Sequence, residues 1–198
     1  MQRRLKTVTC CLWSTSLLLG VVPTLEATMV RPLSLQEMAD RAERIFLGQV
    51  REVREGEDEH GVPITFVTFT VSRSLKGQVP QQLTIKQLGG RSGGGKILRI
   101  PGLPSYQEGE EVVLFLHGTS SGGFTSPVGL GQGKYAVFRQ GAKFMVTNEL
   151  SNAGLKEPLQ SYGEVPPSVR SAKLLERGGS MELKEFLSMV EQVVRPSR

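Results

Sequence analysis

Few residues in this chain of 198 amino acids combine the chemistry and the spacing of a catalytic site. Gly118–Gly122 places Ser120 between glycines after a hydrophobic stretch, which is the pattern of a serine nucleophile elbow. An elbow needs a helix after its serine and, in that fold, a histidine base further along the chain. The only histidines, His60 and His117, both precede Ser120. A serine hydrolase using Ser120 is therefore the least favoured alternative.

A glycine-rich segment, Gly90–Lys96, has the glycine and lysine spacing of a phosphate-binding loop. Such a loop needs a serine or threonine after its lysine and must open a helix. Here Ile97 follows, in a stretch that soon reaches a proline, so the segment predicts a hairpin loop and no nucleotide cofactor. Arg91, Lys96 and Arg99 form a basic edge beside it, and they are the candidate binding residues for an anionic partner. Simple solvent exposure would explain the same edge.

Metal and thiol chemistry have little support. Asp58, Glu59 and His60 fall in one predicted turn, where they form either a weak cation site or a solvated charged loop. The two cysteines, Cys10 and Cys11, are too few for a four-cysteine zinc site or a disulfide-rich scaffold. We therefore predict no metal, no cofactor and no enzymatic activity.

The N-terminus has the layout of a secretory signal. Arg3, Arg4 and Lys6 precede an apolar stretch from Val8 to Val22, and the small residue Ala27 marks a cleavage point. The apolar stretch is shorter than the roughly 20 residues that span a bilayer, so we expect no stable membrane span after cleavage. Residues 1–27 are thus predicted to be removed from a secreted or periplasmic protein. Their loss takes away three basic residues, one acidic residue and both cysteines, and it lowers the formal charge from +5 to +3.

Composition excludes two further classes of protein, those that bind nucleic acid through a strong positive charge and those that are largely disordered. A formal charge of +5 is too small to indicate nucleic-acid binding. A charged fraction of 22% and a mean hydropathy of −0.15 exclude a largely disordered chain.

A short helix and a succession of strands are expected to carry these candidate residues. Ser34–Glu37 has the pattern of a capping box, and an apolar stripe follows it at helical spacing. The strands are predicted from alternating or continuous apolar patterns, and 111–116 is predicted to be central and buried on both faces. They are 45–53, 64–71, 82–88, a short strand or extended arm at 96–100, 111–116, and a hairpin of 134–138 with 144–146.

The C-terminal part differs in composition. Residues 149–179 are rich in proline and glycine and predict a linker, after which Ser180 is expected to cap an amphipathic helix within residues 180–198. The predicted organisation is a signal peptide at 1–27, a β-barrel domain at 28–148, this linker, and the helix. Strands that follow one another without intervening helices exclude a doubly wound α/β sheet and favour a small antiparallel barrel.

Five stretches carry a family resemblance: Ala42–Val50 with an F-x-G-x-V pattern, Ser74–Gly77 with L-K-G, Leu83–Ile85, Gly109–Leu116, and Gln132–Phe138. On these, residues 33–139 resemble a group of exported bacterial proteins and, more distantly, the netrin-like module shared with tissue inhibitors of metalloproteinases. The resemblance implies a five-stranded barrel of the oligonucleotide/oligosaccharide-binding (OB) type and a role in binding. Those inhibitors chelate the protease zinc with an N-terminal cysteine, whereas Thr28 would be the first mature residue here.

The sequence therefore predicts an exported, non-enzymatic binding module whose partner is another extracytoplasmic protein. The alternative is an inhibitor-like protein that acts on a metalloprotease through its barrel loops. The loops at 55–62, 89–105 and 118–131 are the expected contact surface, because barrels present function on their loops. Nucleic acid is not expected as a partner.

Overall fold

The computed structural model describes residues 31–153, 155 and 179–195, and the fold is defined by these residues. The predicted signal peptide lies outside them, as does most of the predicted linker. In this part of the chain, no helix is long and apolar enough to cross a membrane.

The chain first forms helix α1, Leu35–Arg41, and its start is the predicted capping box. The Ser34 hydroxyl accepts a hydrogen bond from the Glu37 amide, and the Glu37 carboxylate accepts one from the Ser34 amide. The apolar stripe of this helix is buried, as expected: its members are Leu35, Met38, Ala39 and Ala42.

Strands dominate the remainder. The strands are β1 Arg44–Glu57, β2 Pro63–Lys76, β3 Gln82–Leu88, β4 Gly90–Arg91, β5 Ile97–Leu98, β6 Glu111–Leu116, β7 Lys134–Gln140, β8 Lys143–Thr147 and β9 Met181–Glu182. A 3₁₀ turn, Leu130–Gly133, precedes β7, and helix α2, Leu183–Val194, follows β9. The predicted mainly β architecture with an N-terminal and a C-terminal helix is confirmed.

Seven strands form one antiparallel sheet in the order β3-β2-β1-β6-β7-β8-β9, and β4 pairs with β5 in a separate two-stranded sheet. In the described residues this order leaves β3 and β9 as the two edges, so the sheet is not closed into a barrel. The OB-like topology stays a prediction. Two isolated bridges extend the pairing beyond the named strands: Lys86 of β3 bridges Phe124 in parallel, and Leu116 of β6 bridges Pro127 antiparallel.

The sheet is buried on both faces at β1 and β6. Ile45 and Phe115 belong to a core that also contains α1 and α2, whereas Phe46 and Leu114 belong to a second core on the opposite face. This division follows from the alternation of side chains along a strand. Residues 112–116 are all fully buried, so the prediction of a doubly buried central strand at 111–116 is confirmed.

The C-terminal helix begins at a different residue from the one expected. Its N-cap is Glu182, with no side-chain cap, so the prediction that Ser180 caps the helix is wrong. The two residues before the helix pair with β8 instead, Met181 with Val146 and Glu182 with Met145. Strand pairing therefore fixes the start of α2, and its buried side, which includes Phe186 and Val190, packs into the first core.

Of the predicted linker, residues 149–153, 155 and 179 are described, and the other residues lie outside the described part. The Asn152 side chain is buried, donates to the Val146 carbonyl at 2.9 Å and accepts from the Asn148 amide at 3.0 Å. These hydrogen bonds attach the chain after β8 to the sheet.

Candidate functional site

A groove of about 690 Å³ lies between the β1–β2 hairpin and the chain that follows β3. Val53, Glu55 and Thr65 line it from the hairpin. Residues from the end of β3 through β4, β5 and the segment 99–106 line the rest. We call this cavity the hairpin groove. Two of the large hydrophobic side chains that the fold leaves exposed, Leu88 at 39% and Ile97 at 52%, lie in it.

Two glycines shape the turn from β3 into the groove wall. Gly89 and Gly90 have φ angles of +97° and +132°, which favour glycine. A Cβ atom on Gly90 would lie 2.6 Å from the Thr65 hydroxyl oxygen. That hydroxyl donates to the Gly89 carbonyl at 2.7 Å, so the turn is held against β2. The glycines therefore bring the β4–β5 hairpin close to the sheet.

Two buried polar side chains line the groove and keep one unsatisfied atom each. Gln87 is 6% exposed and Tyr106 is 8% exposed. The Gln87 Oε1 atom and the Tyr106 hydroxyl have no hydrogen-bond partner within the described part of the chain. Buried polar atoms are nearly always paired in folded proteins, and each exception calls for an explanation. Both atoms are sealed from solvent in the described part of the chain, so a ligand in the groove reaches them only if the lining rearranges locally.

The Tyr106 ring is fixed by its neighbours. It makes an edge contact with the Phe69 ring, centroid to centroid 5.6 Å, and the Lys134 Nζ atom lies 4.7 Å from its centroid. Burial raises the pKa of Tyr106 well above that of a free phenol, and Glu110 adds to the effect. The hydroxyl is therefore neutral at physiological pH and can donate a hydrogen bond.

Lys134 anchors the segment that carries Tyr106. Its Nζ atom donates to the Ser105 carbonyl at 2.6 Å and lies 2.7 Å from a Glu110 carboxylate oxygen. The lysine side chain is only 13% exposed, so this ion pair is shielded from solvent. The bond to Ser105 fixes this part of the groove wall, and Glu110 compensates the charge of the lysine.

The structure brings together two of the three candidate binding residues. Arg91 and Arg99 both line the hairpin groove, whereas Lys96 is exposed on the β4–β5 turn and is not part of the lining. The Gly90–Lys96 segment forms a hairpin, as predicted. The Ser92 amide donates to the Lys96 carbonyl at 2.9 Å, and no helix follows in residues 97–110.

The three predicted contact loops do not form one surface. Glu55 and the 89–105 segment meet at the hairpin groove. The Thr119 hydroxyl instead accepts a hydrogen bond from Arg44 at 2.8 Å, which places the tip of the 118–131 loop at the opposite end of β1. Two later parts of that loop come near the groove wall. The Thr125 amide donates to the Lys86 carbonyl at 3.0 Å, and the Gly131 amide donates to the Gly102 carbonyl at 2.8 Å.

Ser120 lies in a turn. The Gly123 amide donates to the Ser120 carbonyl at 2.9 Å, and the Phe124 amide donates to the Ser120 hydroxyl at 3.1 Å. The chain continues as extended backbone through Pro127, so the helix that a nucleophile elbow needs is not formed there.

The acidic turn with His60 is organised by its own backbone. Asp58 Oδ1 accepts hydrogen bonds from the amides of Val62 and His60, both at 2.9 Å. The Val62 bond is the largest cause that lowers the pKa of this carboxyl group. Within residues 31–153, 155 and 179–195, no group of three or more metal-ligating side chains comes together.

A second groove, of about 470 Å³, lies between β8 and α2. Four of its five charged lining residues are paired: Lys143 with Glu182 at 2.7 Å, and Arg73 with Glu191. It has no counterpart to the unsatisfied atoms of Gln87 and Tyr106. The hairpin groove is therefore the better candidate site.

No family model and no curated protein matches this chain. The resemblance to the netrin-like module therefore stays a prediction. Sequence reasoning missed Gln87 and Tyr106. The alternation of β3 did carry a signal for Gln87, because it puts this residue on the same buried face as Leu83 and Ile85. The proline-flanked segment gave no such signal for Tyr106.

Proposed function

We propose that this chain is an exported, non-catalytic binding module, and that another protein occupies the hairpin groove. The observation that carries this proposal is the coincidence, in the lining of one cavity, of exposed aliphatic side chains, two arginines and two residues that each keep one unsatisfied buried polar atom. Exposed apolar patches with polar rims are typical of interaction sites. The few polar groups at the bottom of an apolar cleft typically set the orientation of a ligand.

A protein partner suits this groove better than a nucleic acid. Proteins that bind single strands stack the bases on exposed aromatic rings. Among the residues that line the groove, the only aromatic one is Tyr106, and its ring is buried against Phe69. The exposed aromatic residues Phe138 and Phe144 belong to β7 and β8 and do not line the groove.

We also propose that the sheet closes into an OB-like barrel. If residues 124–127 act as a further strand, the path β1, β2, β3, 124–127, β6 returns to β1. The supporting contacts are the Thr125 amide to the Lys86 carbonyl at 3.0 Å and the Val128 amide to the Phe115 carbonyl at 2.8 Å. OB-type barrels are partly open, which suits a closure by single bridges. Slow hydrogen exchange at both amides is expected, and exchange as fast as at Ser121 would contradict this closure.

The experiment that tests the function is an unbiased selection of random peptides displayed on phage against the protein. We expect selected peptides to lose binding to the variants Leu88→Asp and Ile97→Asp, which place a carboxylate in the groove. Phe144→Asp is the matched control, because Phe144 is as exposed as Ile97 but lies in the β8–α2 groove. A failure to select any peptide, or peptides equally sensitive to Phe144→Asp, would overturn the proposal.

A further inference from the structure

We infer that the hairpin groove takes an extended polypeptide segment in which acidic side chains flank an apolar one, an inference that rests on the proposed function. Four observations specify this ligand: the outward backbone groups of Leu88 at the end of β3, the arrangement of the two arginines, the two unsatisfied polar atoms, and the charge of the lining.

The backbone at the end of β3 can pair with an added strand. The Lys86 carbonyl points away from β2, since it accepts a hydrogen bond from the Thr125 amide. In an antiparallel ladder, every second residue directs its backbone groups to the same side. The register of β3 with β2 runs without a shift from Gln82 to Leu88, so the Leu88 amide and carbonyl point the same way as those of Lys86. Leu88 lines the groove, and an extended ligand could bond to it there.

The two arginines flank an apolar side chain. Arg91 is the cross-strand partner of Ile97, and Arg99 follows Ile97 by two residues, just beyond the end of β5; all three line the groove. This wall of the hairpin groove therefore contains the apolar Ile97 between two positively charged residues, Arg91 and Arg99. An extended ligand complements it with an apolar residue over Ile97 and carboxylates at the two guanidinium groups.

If the lining rearranges so that the two unsatisfied atoms are exposed, a peptide backbone matches them. Gln87 Oε1 can only accept a hydrogen bond, and the neutral Tyr106 hydroxyl can donate one. A peptide supplies both an amide N–H and a carbonyl. A hydrocarbon chain would supply neither group.

The charge of the lining favours an acidic ligand over a basic one. Arg91 and Arg99 outnumber the single lining carboxylate, Glu55. On the adjoining turn the charges of Lys96 and Glu57 offset each other, since the Glu57 carboxylate lies close to Gly93 of that turn. We therefore expect affinity to fall as ionic strength rises.

The test measures fluorescence polarisation of a selected peptide that carries glutamates, beside the same peptide with glutamines. Arg91→Gln, Arg99→Gln and the glutamine peptide are each expected to weaken binding by about threefold to tenfold. The losses should not add: against the double arginine variant, the glutamate and glutamine peptides should bind alike. Arg195→Gln is the control, because Arg195 is an exposed arginine at the end of α2 and does not line the groove.

Three outcomes would overturn the inference. Peptides that bind in a Leu88-dependent manner but show no glutamate preference would leave the proposed function intact and remove the acidic ligand. Binding that requires a free C-terminal carboxylate, shown by its loss on amidation, would replace the flanking side chains with a chain end. Tighter, arginine-dependent binding of a single-stranded oligonucleotide would replace the polypeptide itself.

Discussion

The Gln87 Nε2 atom donates a 2.9 Å hydrogen bond to the Pro104 carbonyl, while the Oε1 atom of the same side chain has no partner in the described residues. One side chain thus ties the segment 99–106 to β3 and also keeps one buried acceptor unpaired. The groove wall and its binding chemistry depend on the same residue.

Replacing Gln87 with methionine tests this dependence. Gln87→Met leaves the Pro104 carbonyl without its partner, and we expect a loss of about 1–2 kcal/mol in the free energy of unfolding. Hydrogen exchange in 103–106 should become faster. Gln82→Met is the control, because Gln82 is exposed on the same strand and should change stability by less than about 0.5 kcal/mol. Equal effects of the two substitutions would contradict the role of Gln87.

Tyr106→Phe separates binding from stability. The Tyr106 hydroxyl is buried without a partner, so its removal should leave the melting temperature unchanged or raise it. Affinity for a selected peptide should nevertheless fall if binding rearranges the lining and exposes this hydroxyl, since the substitution removes a donor from a residue that lines the groove. Tyr135→Phe serves for comparison, because the hydroxyl of Tyr135 contacts the Met38 sulfur at 3.7 Å, outside the groove. A clear loss of stability in Tyr106→Phe with unchanged affinity would refute this assignment.

Alkaline pH should destabilise the fold through the same tyrosine. Burial raises the pKa of Tyr106 and of Tyr135, so both stay protonated in the folded chain after they ionise in the unfolded chain. Stability should therefore be lost above about pH 10, at up to about 1.4 kcal/mol per pH unit for each tyrosine. Urea unfolding between pH 9 and 11.5 measures this slope. The free energy of unfolding should fall less steeply with pH in Tyr106→Phe than in the unaltered protein. An identical fall would contradict the raised pKa of Tyr106.

Acid should weaken the start of α1. The hydrogen bond from Arg31 and the capping bond from Ser34 lower the pKa of Glu37 from 4.5 to about 2. The carboxylate therefore stabilises the fold above about pH 4.5, and this contribution disappears as the pH falls towards 2. Glu37→Gln should lower stability at pH 7 and flatten the acid limb of urea unfolding curves. An acid limb of unchanged steepness would contradict the capping role. Asp40→Asn, on the exposed side of the same helix, is the control.

The elements that could be predicted from the sequence are those whose patterns involve residues close together in the chain. The capping box at Ser34 and Glu37 and the continuous apolar pattern of 111–116 both depend on neighbours in the chain, and both are confirmed. The start of α2 could not be foreseen, because pairing of Met181 with Val146 brings together residues 35 positions apart. The unsatisfied atoms of Gln87 and Tyr106 likewise arise only when the segment after β5 folds back over the sheet. Charge and sequence position alone indicate Arg91, Lys96 and Arg99 as binding residues. They do not distinguish Lys96, which lies outside the groove lining, from the two arginines, which belong to it.

The most direct test of the account is chemical-shift mapping of the isotope-labelled protein during titration with a selected glutamate-containing peptide. If the peptide binds in the hairpin groove, we expect saturable shifts of the amides of Leu88, Arg91, Ile97 and Tyr106. We expect little change at Phe144 in the β8–α2 groove. Shifts centred on Phe144 and Leu187, or no saturable shifts in residues 87–106, would contradict binding in the hairpin groove.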